Sequence, residues 1–411
     1  MKKVLAILMC LTLLLGTVAC ASSEATTTPK EEAPAAQTQA PAATESEAKE
    51  KEPETASAEE TADKLDLQPG DTIGIAFNSQ SAESWIYFAK SLEEAISEAG
   101  YTPLTQWAEF NVDKQIAQIQ NMVLAGAKVI IVCPYDNASL STVLKEAREA
   151  GVVILNFCMP VIGTDEVDYF VGYDNRTVGV MQAEAIIDAL GLDEGAQGPF
   201  TIELFAGSLN EINCYYYFDG AVETLAPYFE SGQLVCKSGE MDIEQCTILD
   251  WDLTKLITKL DARMTAYYSD GTHLDAVLCP VDYFAGPIAM MLRDYGYGTE
   301  DCPMAVITGN DCFASVCKLI ANDVLYMTVL KDPDVVAKGC MDVINSLVNG
   351  TEVENVEMYQ PDESFDYELR ACFYPCTSVT KENLQELIID SGYYPADEVL
   401  GDLAEEDFGM N

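Results

Sequence analysis

From Thr72 onward the chain alternates short, unbroken apolar runs with stretches of helical period, and that alternation leaves few folds open. Thr72-Ile-Gly-Ile-Ala-Phe has strand length, and Ser84 to Ala99 follows as a helix with Trp85, Phe88, Leu92, Ala95 and Ile96 on one stripe and Gly100 as its stop. The cycle repeats with a helix over Gln115 to Leu124 and the strand Lys128-Val-Ile-Ile-Val-Cys. It repeats again with a helix over Leu140 to Ala150, a stop at Gly151, and the strand Val152-Val-Ile-Leu-Asn-Phe. Strands that are apolar on both faces belong to a parallel sheet covered by helices on both sides.

The pattern restarts after Asn175. Helices are expected over Val178 to Leu190, Tyr216 to Tyr228, Leu253 to Tyr267 and Phe284 to Tyr295. Between them lie the strands Pro199-Phe-Thr-Ile-Glu-Leu-Phe, Leu234 to Lys237, Ala276 to Cys279 and Met304 to Thr308. The fold class read from this is α/β, with two doubly wound parallel-sheet lobes. No G-x-G-x-x-G or G-x-x-x-x-G-K-[ST] follows any strand, so nucleotide binding has no support.

Ahead of this body, Lys2 and Lys3 precede an apolar stretch from Val4 to Val18, too short to span a bilayer comfortably. It ends in Leu-Gly-Thr-Val-Ala-Cys, which resembles a bacterial lipobox with Thr17 where Leu is usual. Residues 1–19 then read as a lipoprotein signal peptide and Cys20 as the lipidated residue, which places the protein on the extracytoplasmic face of the cell membrane. From Cys20 to Asp66 runs an acidic Ala/Thr/Glu/Pro segment, too poor in apolar residues to offset its ordering entropy, hence a disordered tether.

The formal charge is −46, which repels phosphate and excludes nucleic acid as a partner. Apart from Cys10 and Cys20, many of the cysteines sit inside apolar runs, as Cys133, Cys279 and Cys340 do. Buried Cys behaves as a small hydrophobe, so mostly free thiols are expected, although Cys372 and Cys376 are spaced to pair. One C-x3-C and a single histidine, His273, make no metal site, and no cofactor is implied. Glu83 and Glu211 both fall in loops after strands, but nothing around them suggests acid–base hydrolysis, so the chain reads as a binder and not an enzyme.

In doubly wound sheets ligands lie outside the carboxyl ends of the strands. The segments there are Asn78-Ser-Gln80, Pro134-Tyr-Asp136-Asn, Phe157-Cys158, Gly207 to Asn213, Pro280-Val-Asp282 and Gly309-Asn310-Asp311. Asp and Asn favour turns and caps anyway. Their recurrence in five of the six loops goes further and suits a ligand rich in hydroxyls, as a polyol is.

Several stretches now combine. Gly198-Pro-Phe-Thr-Ile-Glu-Leu-Phe-Ala-Gly-Ser, then Asn213-Cys-Tyr-Tyr-Tyr-Phe-Asp-Gly, are joined by Gln118-Ile-Gln-Asn-Met-Val, Tyr173-Asp-Asn-Arg-Thr-Val-Gly, Trp251-Asp, Asp275-Ala-Val-Leu-Cys-Pro-Val-Asp and Ser391-Gly-Tyr-Tyr. Over Asp71 to Tyr394 the chain resembles the sugar-binding type I periplasmic binding proteins, closest to the xylose and multiple-monosaccharide receptors. The resemblance implies two lobes joined by three crossovers, expected near Tyr173 to Asn175, Thr308 to Asp311 and Val329 to Asp332. The first lobe would comprise 71–174 plus 311–330, the helix Ala314 to Ile320 included. The second would comprise 175–310 plus 331–394, and 395–411 would be an acidic tail.

By motif position the resemblance implies ligand hydrogen bonds from Asp136, Asn213, Asp282 and Asn310, with Asp311 near the hinge. Trp85 and Tyr215 would line the cleft, and Asn78, Gln80 and Lys331 complete the expected set. Where the family has Lys and Arg in the first loop this chain has Gln80 and Ser84, and Phe157-Cys158 replaces an Asp-Arg pair. The function implied is capture of a monosaccharide by lobe closure and its delivery to the permease of an ABC importer. The lost cations leave two alternatives open, a non-sugar polar ligand (an amino sugar, nucleoside or amine) and a sensory module serving a membrane receptor.

Overall fold

The computed structural model describes residues 64–80, 83–361, 364 and 366–409. Cys20, the leader and nearly all of the 21–66 segment lie outside them. In chain order the first lobe runs β1 (Thr72–Phe77), α1 (Glu83–Glu98), β2 (Thr102–Trp107), α2 (Val112–Leu124), β3 (Val129–Val132), α3 (Ser141–Glu149), β4 (Val153–Phe157) and β5 (Tyr169–Tyr173). The chain then builds α4 (Asn175–Leu190), β6 (Phe200–Leu204), α5 (Asn213–Ser231), β7 (Leu234–Cys236), α6 (Ile243–Cys246), α7 (Leu253–Arg263), β8 (Ala276–Leu278), α8 (Asp282–Asp294), β9 (Val306–Ile307), α9 (Ala314–Ala321) and β10 (Met327–Leu330). It closes with α10 (Pro333–Asn349), β11 (Glu357–Tyr359), β12 (Leu369–Tyr374), β13 (Thr377–Thr380) and α11 (Ala396–Val399).

The first sheet has seven strands in the order β11-β12-β5-β4-β3-β1-β2, parallel except at β11. The second has four parallel strands, β7-β6-β8-β9, and β10 pairs with β13 in an antiparallel ribbon. Side chains alternate across the first sheet. Ile73, Ile75, Phe77, Val129 and Ile131 enter one core with α1 and α10, while Ala76, Ile130 and Val132 enter another with α2 and α3. Each such buried aliphatic or aromatic side chain stabilises the fold by about 1.5–3 kcal/mol.

Most of the strands and helices expected from the pattern are present within a few residues of their bounds, and the fold is two-lobed α/β. Six strands, β2, β5 and β10 to β13, lie outside the expected set. Among them β2 contains Pro103 and lies at the sheet's edge, where a missing N–H is tolerated.

The assignment of segments to lobes needs correction. The chain passes from first lobe to second between Tyr173 and Asn175, returns between Leu330 and Pro333, and passes again between Tyr374 and Thr377. Thr308 to Asp311 is not a crossing, because β9 leads on to α9 within the second lobe. Val316, Cys317, Leu319 and Ile320 of α9 pack with Phe205, Leu256 and Phe284, so 311–330 belongs to the second lobe. Val336, Ala337, Cys340, Met341, Val343 and Ile344 of α10 pack with Ile73 and Leu92, so 333–374 belongs to the first. Two amphipathic helices of similar character do not declare which sheet they cover. Both helix-led crossings are capped by an aspartate: Asp174 accepts from Arg176 N at 2.9 Å and Asp332 from Asp334 N at 3.0 Å.

The ends are corrected too. Leu65 N donates to Leu347 O at 3.0 Å and Leu67 is buried, so the folded body begins inside the expected tether. The expected tail is docked: Val399 and Phe408 enter the second core, and Lys318 Nζ lies 2.8 Å from Asp407 Oδ2. Gly286 makes room for this strap, since a Cβ there would sit 2.8 Å from Phe408 O.

Candidate functional site

The carboxyl ends of the strands from both lobes face one another. On the first lobe these ends carry Asn78 after β1, Cys133 after β3, and Cys158 and Met159 after β4. Asn78 is buried, with Nδ2 3.6 Å from Met159 Sδ. The Cys133 thiol is pushed up by burial first, then by Cys158, then by Glu211 of the second lobe. The Cys158 thiol is likewise raised by burial, with Lys331 acting against that shift. These couplings put Glu211 and Lys331 opposite the ends of β3 and β4. The face they meet is apolar and thiol-lined where Phe157-Cys158 stands.

Trp85, half-buried, packs its ring 5.9 Å from Phe77 and 5.6 Å from Phe88 at the same end of the lobe. Asp136 turns its carboxylate back on its own loop, accepting from Ala138 N at 3.0 Å.

The second lobe supplies most of the polar groups. Asn213 opens α5 and Asn310 follows β9; they are 8% and 0% exposed, and the Oδ1 of each has no hydrogen-bond partner. Leaving a buried acceptor unsatisfied costs about 1–3 kcal/mol, so two of them in loops of the same lobe point to a missing donor. Asn310 Nδ2 donates to Asp311 Oδ1 at 3.0 Å, and Lys331 Nζ lies 3.5 Å from the same carboxylate oxygen. Lys331 Nζ also donates to Tyr217 Oη at 3.0 Å. Burial by itself would lower the Lys331 ammonium, but Tyr217 and Asp311 outweigh it and hold it charged. Asp311 stands at φ 99° and Cys312 at φ 55°, left-handed conformations that side-chain-bearing residues rarely adopt. Such strain concentrates where a site is built.

Asp282 plays a different part from the one its position suggests. It is 2% exposed, and its oxygens already accept from Phe313 N at 2.7 Å and Thr328 Oγ1 at 2.8 Å. Burial, and after it Asp311, pushes its carboxyl well above the usual range. Gly309 permits this approach, because a Cβ there would lie 2.2 Å from Asp282 Oδ1. Asp282 thus ties the loop carrying Asn310 and Asp311 to the start of α9.

Tyr215 and Gln80 are not brought to the others. Tyr215 is 37% exposed and Gln80 is exposed. Successive helical residues are rotated by about 100°, so Tyr215 faces solvent, Tyr216 hydrogen-bonds Tyr359 of the first lobe at 2.9 Å, and Tyr217 reaches Lys331. Besides Tyr217, two further residues outside the expected set join the site. Trp251 Nε1 donates to Glu211 Oε1 at 2.8 Å across a separation of 40 residues. Gly207 admits the indole, since a Cβ there would lie 2.2 Å from its ring. The Glu211 carboxyl is raised, by burial above all. Among the described residues no group of His, Cys, Asp and Glu is placed to hold a metal ion, and all twelve cysteines there are free.

Among the described residues the arrangement is one of hydrogen-bond acceptors with one ammonium between two lobes, and no nucleophile there is activated by a base. The periplasmic binding protein domain family matches residues 73–352. The multiple sugar-binding periplasmic receptor ChvE of Rhizobium radiobacter is 34% identical over 329 residues, which is 80% of this chain and 92% of that one. An ABC transporter solute-binding protein from Clostridium phytofermentans, solved with bound β-D-glucose, superposes with a TM-score of 0.73 at 29% identity, covering 80% of this chain and 100% of its own. A carbohydrate transporter solute-binding protein from Chloroflexus aurantiacus, in complex with D-glucose, gives 0.70 at 25% identity over 79% and 97%.

Proposed function

Because the chain belongs to the periplasmic binding protein family, we propose that it is an extracytoplasmic receptor that captures a monosaccharide between its lobes and delivers it to an ABC importer. Lipidation at Cys20 would hold it at the membrane, and the segment up to Leu65 would let the body stand clear of the surface. The observation that carries the reading is the pair of buried, unpartnered amide oxygens on Asn213 and Asn310, which a ligand's hydroxyl groups would satisfy. The names of its relatives, which bind several sugars or were solved with glucose, support the same ligand class.

In this reading Asn213, Asn310, Asp311 and Lys331 hold the sugar's oxygens from the second lobe. Asn78 adds a polar contact from the first, Asp136 would do so only through the carboxylate oxygen not held by Ala138 N, and Trp85 offers an aromatic face to the sugar's C–H groups. Asp282 acts by fixing the Asn310–Asp311 loop. Closure follows if the closed state gains these contacts and the open one does not.

The test is calorimetry against a panel of neutral monosaccharides beginning with glucose, paired with small-angle scattering. Binding should come with a smaller radius of gyration. Asn213→Ala and Asn310→Ala should each weaken it by about two- to tenfold, the range for a neutral hydrogen bond. Binding of no monosaccharide, or unchanged affinity in both variants, overturns the reading.

A further inference from the structure

Glu211 is the cleft's uncommitted carboxyl group, raised by burial. Of the other carboxylates near it, Asp282 is occupied by Phe313 N and Thr328 Oγ1, and Asp311 shares Lys331. Glu211 has Trp251 Nε1 on Oε1, and among the described residues no ion pair reaches it. The turn that presents Trp251 is itself strained: Asp250 and Trp251 stand at φ 61° and 55°, and Asp250 N is held by Ser208 Oγ at 3.0 Å. Two non-glycine residues in the left-handed region, with Gly207 cleared for the indole, are an expensive way to place one N–H. They are intelligible if the carboxylate must be held in one orientation. Two residues on, Asn213 Oδ1 is buried without a donor, as is Asn310 Oδ1 beside Asp311. This side of the cleft therefore presents acceptors, and among the described residues its one cation, Lys331, pairs with Asp311 while also acting on Glu211 from farther away.

We propose that Glu211 sets which sugars the cleft accepts: Oε2 receives a hydroxyl or, more tightly, an ammonium group of the ligand, so amino sugars bind and sugars bearing a carboxylate are rejected. This rests on the receptor reading above and narrows it. The charge balance decides the sign. A ligand anion would meet two carboxyl groups, Glu211 and Asp311, with one ammonium between them, whereas a ligand cation would hold the burial-raised Glu211 carboxyl ionised. Hydrogen bonds to charged groups are stronger than neutral ones, so the effect should be readable in affinity.

The experiment is calorimetry with glucose, glucosamine and glucuronate, at a pH of about 6 where an amine of ordinary basicity is protonated. Wild type should bind glucosamine at least as tightly as glucose, and glucuronate about a hundredfold more weakly or not at all. Glu211→Gln keeps the shape and an acceptor for Trp251. It should cut glucosamine binding about tenfold relative to glucose and narrow the gap to glucuronate. An unchanged glucosamine-to-glucose ratio in that variant, or wild-type binding of glucuronate comparable to glucose, overturns the inference while leaving the sugar reading in place. Failure of all three ligands to bind wild type removes both together, and it is distinguished by the absence of any binding heat. The wild-type ratios carry the test even if the variant does not fold.

Discussion

Arg263 and Glu203 meet inside the second lobe with Nε 3.4 Å from Oε2, their side chains 2% and 0% exposed. Glu203 lies on β6, and it also accepts from Tyr268 Oη at 2.8 Å and Ser238 Oγ at 2.6 Å. The guanidinium donates to Leu204 O at 2.8 Å and to Glu240 Oε2 at 2.7 Å, and stacks 4.5 Å from the Phe205 ring centre. Each charge is thus compensated several times over, which is the condition for keeping charges in a core. Arg263→Ala should strand Glu203 and lower unfolding stability by about 3–5 kcal/mol. Urea denaturation measures this, and a loss below about 1 kcal/mol would mean the network is solvated.

Asp282 should give the protein a pH signature. Its folded carboxyl is raised above the ordinary 3.8, so in the window between those values the folded state holds the extra proton. Stability from this group therefore falls as pH rises from about 4 through the raised value. Asp282→Asn keeps an acceptor for Phe313 N and removes the charge. Its urea midpoint should fall less steeply over that range than that of wild type, and identical pH slopes would contradict the assignment.

The thiols can be counted. Unfolded under non-reducing conditions, residues 64–411 should expose twelve reactive cysteines. In the native state nine are buried, and Cys236, Cys302 and Cys376 are partly accessible. Burial raises the Cys236 thiol and pushes Cys376 up to about 11, which lowers their thiolate fraction. Alkylation followed by peptide mass mapping should label Cys302 first. Fewer than twelve thiols after unfolding would reveal disulfides.

Phe408 tests the C-terminal strap. It is buried in the second core, with the Arg293 guanidinium 5.2 Å from its ring centre. Phe408→Ala should cost about 3–5 kcal/mol, the usual range for removing a buried aromatic side chain. A chain cut after Leu400 should lose at least as much. Equal stability of the truncated and full-length chains would restore the picture of a free acidic tail.

Cys20 carries the anchoring prediction. Cys20→Ala should release the protein into the medium or leave an unprocessed precursor, and cell fractionation with immunoblotting distinguishes these. An undiminished, fully processed membrane fraction would speak against lipidation there.

The legible part of this molecule is what periodicity encodes. Runs such as Val129-Ile-Ile-Val and stripes such as Phe88-Leu92-Ile96 have one good solution each, a covered parallel strand and a helix on its face. The illegible part is what depends on partners far along the chain. Nothing in α9 or α10 states which sheet will receive its apolar face, so the lobe boundaries are misread between 311 and 374. In the site, Lys331 is legible only through the family resemblance, whereas Asn213, Asn310 and Asp311 lie in loops that follow a strand. Glu211 follows one as well, but its significance lies in Trp251, forty positions on, and in the lack of a cation. Tyr215 fails for a simpler reason: helix α5 starts at Asn213, and that register turns Tyr217 inward instead.

The three crossings also fix when the protein can finish folding. In the first lobe β5 pairs with β12, about 200 positions later, and α1 packs on α10, still farther away. The second lobe needs β13, Leu384, Ile388 and Phe408 to seal its core. Neither lobe can close over its apolar face until nearly the whole chain has been made, and long loops must be drawn together first, which slows folding. A nascent chain of this topology therefore stays uncommitted to its tertiary structure through most of its synthesis.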